Sequence, residues 1–183
     1  AQRRIHQPRR RDPHGAAVKP VGVQVGSQHE HTRLVYAEDL GIGQRFDLGS
    51  HTVTEAELVD FATHWDPQWF HIDRAAAQDG QFGGLIASGI HTLAILQRLT
   101  FDAVGHSWAA IAGRGIRDLR FRRPVRPGDV LTGTVVIDDI QFDDRARALV
   151  TTESTVVDSE GRVVLTVLHE AYLHSRTRQP STT

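Results

Sequence analysis

Residues 85–99 read LIASGIHTLAILQRL, a stretch that is apolar on most faces, and the chain beyond it carries no second helical pattern, only alternation of strand type. A helix that is apolar nearly all round has to be buried. With no later helix to cover it, the cover must be a sheet. Strands that run together after the helices point to an α+β fold rather than a parallel α/β one. A curved antiparallel sheet wrapped around one long central helix meets both demands.

The strand pattern supports that layout. Residues 45–53 read as a first strand after the turn signals Gly41 and Gly43, and residues 109–121, 130–142, 146–157 and 162–174 read as four more in meander-like succession. Pro127-Gly128, Asp143-Asp144-Arg145 and Ser159-Glu160-Gly161 supply turn chemistry between them. Val135, Ile137, Val150, Val156, Val163 and Val167 give the β-branched bulk that a pleated surface packs well. Between the first strand and the apolar segment, Thr54-Glu55-Ala56-Glu57 matches a capping box, and Leu58, Phe61, Ala62 and Trp65 recur at helical spacing. That predicts an amphipathic helix ending near Trp65, where Pro67 breaks it. Residues 66–71 are expected to form a tight irregular loop, followed by a short helix over 73–78.

A carboxylate and an imidazole stand five positions apart on that loop: Asp66-Pro67-Gln68-Trp69-Phe70-His71. Side chains so placed can converge on one small molecule such as water, and loops held by rigid elements are where catalytic groups concentrate. Downstream, Phe82-Gly83-Gly84-Leu85-Ile86-Ala87-Ser88-Gly89 opens the apolar helix. A helix start offers unpaired N–H groups and a positive dipole end, suited to polarising a carbonyl. Taken singly, each residue has a plainer reading: Asp before Pro as a turn former, His as a core group, Ser88 as an N-cap. Their combination is what points to chemistry.

These segments resemble the hydratase motif of MaoC-like dehydratases, usually Gly-Asp-x-Asn-Pro-x-His, with a His-Gly or Ser-Gly pair at the helix start. Asp66 and His71 match its acid and histidine at the same spacing, Gly89 its oxyanion glycine, and Ser88 the residue before it. The stretch from Phe121 through Asp129, which contains Arg122, Arg123 and Arg126, resembles the strand-turn-strand common in these proteins. Two positions differ: the motif's glycine is Trp65 here, and its Asn-Pro pair is Gln68-Trp69. A bulky Trp where a small residue is usual would narrow the acyl pocket.

The resemblance covers roughly residues 36–174 and implies a single hotdog domain, over 34–176. It also implies a hydro-lyase that reversibly hydrates trans-2-enoyl thioesters to (R)-3-hydroxyacyl thioesters, as in fatty acid metabolism. Asp66 and His71 would be catalytic, and Gly89 and Ser88 would bind the substrate. Apart from the resemblance, Arg120, Arg122, Arg123 and Arg126 form a local basic cluster, with Arg122, Arg123 and Arg126 the candidates to meet the phosphates of coenzyme A; a solvated strand face and turn is the other reading. The substrate would be an acyl-CoA or acyl-carrier thioester, with no further cofactor, because the thioester itself acidifies the α-proton.

Composition removes several other classes. The chain has 183 residues and a formal net charge of −1, so nothing global draws it to nucleic acid or to an anionic membrane surface. It has no cysteine, hence no thiolate nucleophile and no thiolate metal site, which fits a cytoplasmic protein. No apolar run reaches the length of a membrane-spanning helix. The 11 histidines do not fall in a metal-ligand spacing, so no metal is expected. Residues 1–33, rich in Arg with prolines and glycines, read as a disordered basic leader, and 177–183 as a disordered tail.

Two other readings share the fold. A hotdog thioesterase often carries a carboxylate on the central helix, and residues 85–99 have none. A non-catalytic acyl-binding partner subunit would not need both Asp66 and His71. A sheet curved around one helix leaves an edge strand that needs a partner, so a homodimer or larger assembly is expected.

Overall fold

A computed structural model of the protein describes residues 33–177. The expected leader and tail lie outside the described residues, except Arg33 and Thr177. A short 3₁₀ turn, Ala37–Asp39, precedes strand β1 (Arg45–Thr52). Helices α1 (Glu55–Trp65), α2 (Trp69–Ile72), α3 (Arg74–Asp79) and α4 (Gly89–Thr100) come next, and a π-helical turn, Phe101–Gly105, continues α4. Strands β2 (Ala110–Phe121), β3 (Val130–Phe142), β4 (Arg147–Val157) and β5 (Val163–His174) complete the fold. All five strands form one antiparallel sheet in the order β1-β3-β4-β5-β2. The sheet curves around α4, as the hotdog reading requires.

The order corrects the expected meander. β3, β4 and β5 do pair in succession, but β2 crosses to the far edge and pairs with β5, not with β3. The segment between β2 and β3 holds Pro124 and Pro127, which cannot donate to a ladder, and it carries Val125, only 2% exposed, across the start of α4. Gly128, at φ 91°, turns it into β3 while its N–H donates to the Val53 carbonyl at 2.7 Å. The two remaining connections are hairpins, as expected. Asp143 N–H donates to Arg147 O at 2.9 Å, and Asp158 Oδ1 accepts from Glu160 N–H at 3.0 Å and Arg162 N–H at 2.9 Å.

The helical boundaries differ more. Thr54 caps α1 by accepting from Glu57 N–H at 3.2 Å, but the Glu57 carboxylate turns away to His51 Nε2 at 2.6 Å instead of closing the capping box. α1 buries Leu58 and Ala62, whereas Trp65 is 76% exposed. The 66–71 loop is shorter than expected, because its second half winds into α2. The apolar helix starts at Gly89, not Leu85. Residues 85–88 are extended and buried, and their apolar side chains, not a helical turn, account for the pattern.

α4 is buried on one face rather than all round. Ile95, Leu96 and Leu99 point into a core with Val135, Val156, Leu165 and Val167, while Ile90 is 54% exposed and Ala94, Gln97 and Arg98 face outward. Burying a Leu such as Leu96 completely contributes about 1.5–3 kcal/mol. No helix among the described residues is long and apolar enough to cross a membrane.

Candidate active site

Asp66 is the C-cap of α1. Its N–H donates to the Ala62 carbonyl at 2.9 Å, and Pro67 behind it keeps its backbone out of the helical region, at φ −156° and ψ 68°. The chain reverses through Gln68, whose N–H donates to Asp66 O at 2.8 Å, and enters α2. This places His71, 4% exposed, one turn below Asp66.

The His71 ring is fixed from two sides. The Phe70 ring meets it edge-on with centroids 4.4 Å apart, and its Nδ1 lies 2.7 Å from the carbonyl oxygen of Ile86. A carbonyl can only accept, so Nδ1 carries the hydrogen. In the neutral ring Nε2 is then an acceptor. That nitrogen faces Asp66 Oδ2 at 3.4 Å.

The Asp66 carboxylate is held by hydroxyl and amide donors. Ser88 Oγ donates to Oδ2 at 2.7 Å, and Gln68 Nε2 to Oδ1 at 3.3 Å. The Ser88 bond, opposed by partial burial and helped by Gln68 and His71, holds the carboxyl below the ordinary aspartate pKa of 3.8. Asp66 is therefore ionised at neutral pH. With the ring in its neutral form, Nε2 and Oδ2 are two acceptors facing each other.

Ser88 itself is fully buried, and its Oγ also accepts from Ile90 N–H at 3.2 Å as the N-cap of α4. The cap and the site use the same hydroxyl. Its donor goes to Asp66 and one of its acceptor positions to Ile90, so Ser88 orients the carboxylate. Gly89, next in the chain, is the first residue of α4, where N–H groups have no intrahelical partner.

His71, Gly89, Thr92, Arg122 and Arg123 line one cavity of about 300 Å³, with Phe82, Ile86, Ala87, Phe121, Val125 and Val164 forming its apolar walls. Arg126 is not part of it. Its Nη2 donates to the Phe82 carbonyl at 2.5 Å and it lines a separate recess with Arg74 and Glu55. The local cluster seen in sequence splits because the turn at Gly128 directs Arg126 to the opposite side of the crossing segment. Among the described residues no group of three or more His, Asp or Glu side chains could hold a metal ion.

Sequence reasoning missed the lacing that assembles this site. The extended segment 85–88 accepts from His71 through Ile86 O, donates through Ile86 N to Phe70 O at 3.2 Å, and donates through Ala87 N to Val125 O at 2.8 Å. These are backbone roles, for which side chains carry no signal. It also missed His91, which is buried, stacked on Phe61 at 4.7 Å, and left without a hydrogen bond at Nδ1. Burial pushes the His91 pKa down.

Comparison with known proteins gives a consistent set of likenesses. The family model described as "MaoC like domain" matches residues 39–159. The chain is 38% identical over 104 residues to the uncharacterized protein YdeM of Bacillus subtilis, covering 57% of this chain and 74% of that one. It is 34% identical over 113 residues to 3-hydroxyacyl-thioester dehydratase Z of Mycobacterium tuberculosis, covering 60% and 74%. Among solved structures, a MaoC-like dehydratase from Rhodospirillum rubrum superposes with a TM-score of 0.71 at 36% identity, over 78% of this chain and 99% of that one.

Proposed function

The chain belongs to the MaoC-like domain family, and from that premise we propose that it is a hydro-lyase that reversibly hydrates trans-2-enoyl thioesters to (R)-3-hydroxyacyl thioesters. The observation that carries this reading is the close approach of His71 Nε2 and Asp66 Oδ2, 3.4 Å apart, with His71 lining the same cavity as Gly89. With the His71 ring neutral, a water seated beside the pair, in reach of both atoms, donates one O–H to each. That orients its oxygen lone pair outward, toward an acyl chain in the cavity.

Hydration then balances without a cofactor. Water oxygen bonds C3 as one of its protons passes to the Asp66–His71 pair, and the C2–C3 π electrons move toward the thioester oxygen, where the Gly89 N–H stabilises the developing charge. The pair returns a proton to C2, restoring the thioester. One water is added and both side chains end as they began. Arg122 and Arg123, exposed at the same cavity, are suited to the phosphates of coenzyme A or of an acyl-carrier arm. Among the alternatives, the thioesterase finds no carboxylate on α4.

Incubated with crotonyl-CoA, the purified protein should lower the enoyl-thioester absorbance to its equilibrium value and release no free thiol. Thiol release at the rate of absorbance loss would assign it to the thioesterases instead.

A second copy of the chain completes the assembly in this reading. β2 is a sheet edge, exposed along nearly its whole length, with Ile111 at 43% and Ile116 at 51% exposure. Unpaired edges of this kind seek a partner strand. Light scattering at micromolar concentration should give at least twice the 20.3 kDa of one chain, and an active monomer would exclude the dimer.

A further inference from the structure

Gly89 sits under an aromatic ring. A Cβ on it would lie 2.8 Å from Cζ of Phe121 and 2.9 and 3.0 Å from the neighbouring ring carbons, so the ring rests directly on the glycine's Cα. Phe121 is the last residue of β2, half exposed, and lines the cavity that holds His71 and Gly89. In a helix the Cα–Cβ direction leans toward the N-terminus, the end from which the first-turn N–H groups also emerge. A carbonyl oxygen accepting from the Gly89 N–H therefore has the Phe121 ring beside it.

From this placement we infer that Phe121 is a specificity-determining residue, whose ring restricts the carbon next to the thioester carbonyl and so favours acyl groups unbranched at C2. The inference rests on the hydration reading above for the position of the carbonyl. The chain beyond C3 meets other walls: Ile86, Ala87, Val125 and Val164 are supplied by the crossing segment, the extended stretch and β5. The two ends of the acyl group are thus sensed by different residues. Nothing polar tethers the Phe121 ring, and it lies at the exposed end of an edge strand, so shortening it leaves the core untouched.

The test compares wild type with Phe121→Ala and, as a variant that keeps apolar bulk, Phe121→Leu. The readout is kcat/KM on crotonyl-CoA and on 2-methylcrotonyl-CoA. One methyl in a shaped apolar pocket changes kcat/KM by roughly 10- to 200-fold, so Phe121→Ala should raise the branched-to-straight ratio by at least about tenfold. The ratio for trans-2-hexenoyl-CoA against crotonyl-CoA should stay nearly constant. An unchanged branched-to-straight ratio overturns the assignment, as does an equal rise for the longer straight chain. The isomeric saturated thioesters butyryl-CoA and isobutyryl-CoA give a second readout by calorimetry, since they bind without reacting. Phe121→Ala should selectively strengthen isobutyryl-CoA. If wild type hydrates no enoyl thioester, the hydration reading fails, while this binding ratio still decides whether Phe121 senses the branch.

Discussion

Asp66→Asn and His71→Ala should each lower turnover on crotonyl-CoA by at least about a hundredfold, the ordinary contribution of a positioned general acid or base. The two lose it for different reasons. An Asn at position 66 can still accept from Ser88 Oγ through its amide oxygen, so the geometry at 2.7 Å survives, but the negative charge that draws a proton from water is gone. Removing the His71 ring takes away the acceptor at Nε2 and leaves the Ile86 carbonyl without its donor, which costs about 1–3 kcal/mol of stability as a buried unsatisfied group. Folded proteins hold about 5–15 kcal/mol, so both variants remain folded at room temperature. Circular dichroism and steady-state hydration measured on the same samples check this. Near-normal turnover in either variant would remove that residue from the chemistry.

Ser88→Ala should act on stability and on pH dependence together. Losing an N-cap costs about 0.5–2 kcal/mol, and the Asp66 carboxylate loses its strongest donor at the same time. Because that hydrogen bond holds the Asp66 pKa below 3.8, its removal lets the pKa rise. The acid limb of the pH–rate profile should therefore move to higher pH in the variant. The stability effect has a matching sign: a carboxylate whose folded pKa is depressed stabilises the fold above its unfolded pKa, and that contribution is lost as pH falls through the folded value. The gap in melting temperature between wild type and Ser88→Ala should thus narrow below about pH 3.8. Ser88→Thr, which keeps a hydroxyl, should restore the acid limb. An acid limb that stays in place in Ser88→Ala would reduce Ser88 to a helix cap.

Much of the fold is legible in the chain itself. Strand periodicity locates β3 to the residue and β4 and β5 to within one, because alternation and turn residues are local properties. The Asp66–His71 pair is legible for another reason: proline forces the helix to end at a known residue, and the spacing then fixes where the imidazole falls. Choices between partners are not legible. The pairing of β2 with β5 joins strands some fifty residues apart, such as Gly113 with Ala171, and local patterning does not choose between such partners. The false start of α4 has a similar origin. Residues 85–88 are as apolar as a helix, but their amides and carbonyls are claimed by Phe70, His71 and Val125. Arg126 looks equivalent to Arg122 and Arg123 because charge has no direction in a sequence, and only the backbone turn supplies it.

The strand order has a further consequence, for the chain as it is made. α4 emerges before β3, β4 and β5, the strands whose side chains cover its apolar face, and β1 must wait for β3 before its ladder can form. During vectorial synthesis the stripe of Ile95, Leu96 and Leu99 therefore stays uncovered until most of the sheet has left the ribosome, and such exposed stripes are where nascent chains associate wrongly. Pairings of high sequence separation also slow closure of the sheet once the chain is free. The cavity, stitched from α2, the extended segment and the crossing segment, also takes Val164 from β5, so its lining is complete only when the last strand is in place.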